Sequence, residues 1–133
     1  MSCDYAVWSA EPRLSNAQAG ALYVRLCEGK PASQSLITNS AVALFYAELT
    51  AQHPEIDDVP EKQLEDTDLC PWSCAFDRTE SHVIMNCVWS KADYVGNLVA
   101  SLAAKHGLAF YDPQSERVKY PGAEGRKPWW KLW

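Results

Sequence analysis

The run His82-Val-Ile-Met-Asn-Cys-Val-Trp89 constrains the fold most. It is rich in β-formers and long enough for a central strand, which needs neighbours on both sides. Tyr5-Ala-Val-Trp8 is a candidate first strand, and Leu108-Ala-Phe-Tyr111 and Arg117-Val-Lys-Tyr120 are two more, joined by an Asp112-Pro113 turn. A short strand follows the loop Leu69-Cys-Pro-Trp-Ser-Cys-Ala-Phe76. Three helical segments lie between these strands.

The first helix starts at Ser15, with Gln18 three positions on as in a capping box. Ala19, Leu22, Tyr23, Leu26 and Cys27 share one helical face, and Gly29 with Lys30-Pro31 ends it. The second is expected to start near Ser33 or Ser35. Its face is Ile37, Ala41, Leu44, Phe45 and Leu49, and His53-Pro54 closes it. The third is capped by Ser90-x-x-Asp93, carries the stripe Val95, Leu98, Val99, Leu102 and Ala103, and ends at Gly107 after Lys105 and His106. The order β-α-α-loop-β-β-α-β-β has no repeating βαβ unit. It predicts a single α+β domain over residues 1–121, with a largely antiparallel sheet of four to five strands and three helices.

With 133 residues, 47% of them apolar, the chain can bury one real core. Its net charge of −5 argues against wrapping nucleic acid, whose binders are basic. No apolar run is long enough to span a membrane, and Met1-Ser-Cys-Asp-Tyr5 lacks the basic and apolar regions of a secretory signal. The five cysteines, Cys3, Cys27, Cys70, Cys74 and Cys87, are irregularly spaced and fit reduced thiols. The expected address is cytoplasmic.

The charge is concentrated. Between Glu55 and Asp68 seven acids face a single Lys62, a local charge of −6 that exceeds that of the whole chain. From Arg117 to Trp133 five bases face only Glu124, a local sum of +4. The acidic run reads as a solvated loop or as a binding surface. Favouring the second, Leu69, Trp72 and Phe76 follow it at once, and interfaces combine aromatic anchors with steering charge. Such a surface suits a basic partner, its carboxylates standing in for phosphates.

Catalytic and metal patterns are weaker. Cys70 and Cys74 followed by His82 and Cys87 loosely resemble a zinc site, but an odd separation on one strand sends His82 and Cys87 to opposite faces. No nucleophile elbow or glycine-rich phosphate loop is present, so neither a metal nor a cofactor is expected. A small enzyme using Cys70 or Cys74 with His82 stays open as an alternative. So does an adaptor that docks through the basic, Trp-rich tail at 122–133, where Trp129, Trp130 and Trp133 could also fold back on the domain or on a second copy.

Tyr5-Ala-Val-Trp8, the Pro71-Trp72-Ser73 loop and Lys105-His-Gly-Leu-Ala-Phe-Tyr-Asp-Pro-Gln114 resemble small bacterial proteins encoded near toxins of interbacterial competition. The resemblance runs over residues 4–120. Several such proteins are immunity proteins, which bind and block a cognate toxin. The resemblance therefore implies a cytoplasmic inhibitor without catalysis of its own, but it carries over no site residues. The expectation is that Asp57, Asp58, Glu61, Glu65, Asp66, Asp68 and Trp72 meet a cognate protein toxin with a basic surface, without nucleic acid or membrane as partner. The oligomeric state stays open.

Overall fold

The structure, a computed structural model, describes residues 2–11, 13–30 and 36–121. The expected tail at 122–133 lies outside them. Among the described residues the chain forms five strands and three α-helices: β1 (Ser2–Trp8), α1 (Asn16–Cys27), α2 (Ser40–Gln52), β2 (Asp77–Arg78), β3 (His82–Val88), α3 (Ala92–Lys105), β4 (Ala109–Asp112) and β5 (Arg117–Lys119). The strands make one antiparallel sheet in the order β2-β3-β1-β4-β5. This is a single α+β domain, as the element order implies.

Strand alternation divides the core into two layers. Tyr5, Val7, Val83, Met85, Cys87 and Phe110 pack under α2 and α3, which contribute Val42, Phe45, Leu49, Val95, Val99 and Leu102. Ala6, Trp8, Ile84, Ala109 and Tyr111 face the other way, against Ala19, Leu22 and Leu26 of α1. β3 has neighbours on both sides, and the central β1 pairs along its full length on one of them. On the other it meets β2 and the stretch around Trp72, which bridges Cys87.

α1 begins as its sequence implies. The Ser15 hydroxyl accepts the Gln18 amide proton, and the Gln18 side chain accepts that of Ser15. Gly29 and Gly107 follow α1 and α3 with φ of +72° and +73°, the left-handed geometry that suits glycine. α2 starts later than expected, at Ser40. Leu36 bridges Ala10 and the Ile37 amide donates to the Ser9 carbonyl, which hold both residues extended beside the end of β1. Asn39 then caps the helix by accepting the Ala41 amide proton. With that start the buried stripe is Val42, Phe45 and Leu49, while Ile37 precedes the helix and Leu44 is exposed. Ser90 does not cap α3. It sits in a 3-10 turn, Trp89–Lys91, and α3 begins at Ala92 without a side-chain cap.

α3 lies close on β1. The Tyr5 hydroxyl donates to the Ala92 carbonyl at 2.9 Å, and a Cβ added at Gly96 would come within 2.7 Å of the Tyr5 oxygen. Glycine at 96 lets the helix settle on that ring.

Candidate functional site

The acidic run leaves α2 at His53-Pro54, crosses the end of the layer formed by α2 and α3, and rejoins the sheet at Trp72. It is folded, with 3-10 turns at Ile56–Asp58 and Glu61–Gln63. Buried Val59 and partly buried Ile56 and Leu69 fix it to the core. Glu55 has a different task from the other acids. Half-buried, it accepts the Tyr46 hydroxyl proton and, at 2.9 Å, the Phe76 amide, so it ties both ends of the segment together. Burial and the Glu55 carboxylate push the Tyr46 phenol up.

Asp57, Asp58, Glu61, Glu65, Asp66 and Asp68 are all exposed. The Asp66 side chain accepts the Asp68 and Leu69 amides at 3.1 and 3.3 Å, which orders the last turn before the core. Asp68 pairs with Lys91 of the turn before α3, and that hydrogen bond draws its carboxyl below the usual range. The Leu69 carbonyl can only accept, so His53 donates to it from Nδ1 at 3.0 Å. In the neutral ring Nε2 then accepts the Tyr94 hydroxyl proton at 2.8 Å. The start of α3 and the end of the acidic run are thereby joined.

Trp72 corrects the expectation of an aromatic contact. It is only 3% exposed, its indole N–H donates to the His53 carbonyl at 2.9 Å, and its ring meets Phe76 edge-on. The pairing of Trp72 with Cys87 across the free side of β3 carries it inward. Its ring is buried beside His53 and Phe76 and is not part of the exposed surface. Among the described residues the exposed aromatics are others: Trp89 at 54% and Tyr94 at 49%. The sequence held a signal for Tyr94, which falls outside the apolar stripe of α3. Trp89 read as the end of a strand, and its exposure arises because β3 stops at Val88.

The thiols and His82 do not come together. His82 is buried, with Nδ1 2.9 Å from the Thr79 hydroxyl and Nε2 3.6 Å from the Asp77 carboxylate. Burial pushes its imidazole down against the opposing pull of Asp77. Cys70 is buried in the layer of α2 and α3, and Cys74 donates its thiol to the Asn86 side chain at 3.0 Å. Asn86 lies four residues along β3 from His82, about 13 Å. Burial raises both thiols. Among the described residues all five cysteines are free, and no cluster of three or more His, Cys, Asp or Glu is placed to hold a metal. Nor is any described helix long and apolar enough to cross a membrane.

Comparison of the chain with known protein families, curated proteins and solved structures found no match.

Proposed function

We propose that this is an immunity-type protein that binds a basic face of a cognate bacterial toxin in the cytoplasm and blocks it by occlusion. The observation that supports this reading is the set of six exposed carboxylates on a segment fixed to the core by Glu55, Val59 and Trp72. A solvated loop needs no such anchoring. A rigid acidic surface loses little conformational entropy on binding, and its charge accelerates encounter with a basic partner. Inhibition by occlusion needs no catalytic group. A surface of roughly 800 Å² on this side would suffice for a stable complex.

The test is rescue by co-expression. A toxin-like gene adjacent to this one would be induced with and without it, and growth and co-purification followed. Rescue with a stable complex is the expected result. Absence of both rescue and complex would overturn the reading.

A further inference from the structure

Among the described residues six large apolar side chains are exposed: Val24, Ile37, Leu44, Leu64, Trp89 and Tyr94. Three of them belong to the acidic region. Leu64 is in the segment itself, and Trp89 and Tyr94 flank Lys91, whose ammonium is already taken by Asp68. They are also the only exposed large aromatics in that set. Asp93 stands exposed beside Tyr94. The hydrogen bond from Tyr94 to His53 fixes that ring against the buried end of the acidic run. Two exposed aromatic side chains therefore bracket, in sequence, the lysine that pairs with the acidic run, and that cation is occupied.

We propose that this surface recognises arginine side chains on a basic protein partner, with guanidinium planes on Trp89 and Tyr94 and their N–H groups on Asp66, Asp68 and Asp93. The partner's identity as a toxin rests on the function proposed above; the arginine chemistry does not. Charge complementarity selects a cation, and the aromatic rings select which one. A guanidinium is planar, weakly hydrated and forked, so it stacks on a ring while bonding a carboxylate, whereas an ammonium is a compact, strongly hydrated point charge. The molecule contains one such guanidinium-on-ring contact internally. The Arg78 guanidinium lies 3.9 Å from the centre of the Tyr46 ring, whose hydroxyl is held by Glu55.

The test uses two capped octapeptides of equal charge, acetyl-(Gly-Arg)4-amide and acetyl-(Gly-Lys)4-amide. Each is titrated at low ionic strength into the full ¹⁵N-labelled chain. The Trp89 indole resonance, assigned with a Trp89→Leu variant, and the amides of Asp66, Asp68 and Asp93 are followed. The arginine peptide is expected to bind several-fold more tightly, about threefold for each aromatic face. Trp89→Leu and Tyr94→Leu should each reduce that preference and leave the lysine peptide's affinity unchanged. Asp66→Lys with Asp93→Lys should weaken both peptides. Equal affinity for the two peptides, or shifts centred on the exposed face of α2 around Leu44, would overturn the proposal. A toxin complex without arginine preference overturns this inference and leaves the immunity reading standing. Arginine preference without rescue does the reverse.

Discussion

Trp72→Phe separates a buried support from a contact residue. The substitution keeps an aromatic ring but removes the indole N–H that donates to the His53 carbonyl, leaving a buried acceptor without its partner. A lost hydrogen bond of this kind costs about 1 kcal/mol. Shrinking a packed ring adds on the order of 1–2 kcal/mol for burial and cavity together. The expected loss is about 2–3 kcal/mol, which for a chain of this size lowers Tm by about 8–12 °C. Urea denaturation and calorimetry would measure it. Because Trp72 lies beneath the surface, the association rate with a basic partner should stay within about twofold of wild type well below the melting point. A variant of unchanged stability, or one of normal stability with a much slower association rate, would refute this account of Trp72.

Three further perturbations test the fold. Gly96→Ala should destabilise by about 1–2 kcal/mol in denaturant titrations, because its Cβ meets the Tyr5 hydroxyl and overpacking outweighs the helix gain. Adding Tyr5→Phe should recover part of that loss. Asn39→Ala should cost about 1 kcal/mol by removing the cap on α2; no loss would place the helix start elsewhere. His82 has a folded-state pKa below its usual 6.5, so the unfolded chain binds the extra proton first. Its contribution to stability is full above pH 6.5 and declines as the pH falls below that value. His82→Gln should flatten this part of the stability profile, and an unchanged slope would contradict the assignment.

Local signals show how much of this was legible. The Ser15–Gln18 box and Gly29 bound α1 because capping geometry depends only on neighbouring residues. The stripe Val95, Val99, Leu102 and Ala103 faces the core as its periodicity implies, since a helix of this length is read by its own repeat. The start of α2 was not legible. Ser33, Ser35 and Asn39 are all competent caps by type, and the choice falls on Asn39 because distant Ser9 and Ala10 hold Ile37 and Leu36 extended. The acidic pole was visible as composition, but which aromatic side chains stay exposed was not: Trp72 is buried and Trp89 is exposed. Trp72 is adjacent to the carboxylates in sequence and is drawn inward by its bridge to Cys87. Trp89 and Tyr94 are more than twenty residues from Asp66; Lys91, which lies between them in sequence, pairs with Asp68, and Tyr94 bonds His53. A bridge to β3 decides the first and long-range side-chain contacts the second, and no local pattern encodes either.

The central claim is that the carboxylates between Asp57 and Asp68 meet the partner. The direct measurement is the association rate of the chain with the co-expressed toxin, taken across a range of ionic strengths, for wild type and for Asp57→Lys/Glu61→Lys/Glu65→Lys. The account predicts slower association and a shallower salt dependence for the triple variant, with stability little changed because all three side chains are exposed. Association rates that match wild type at every ionic strength would contradict it.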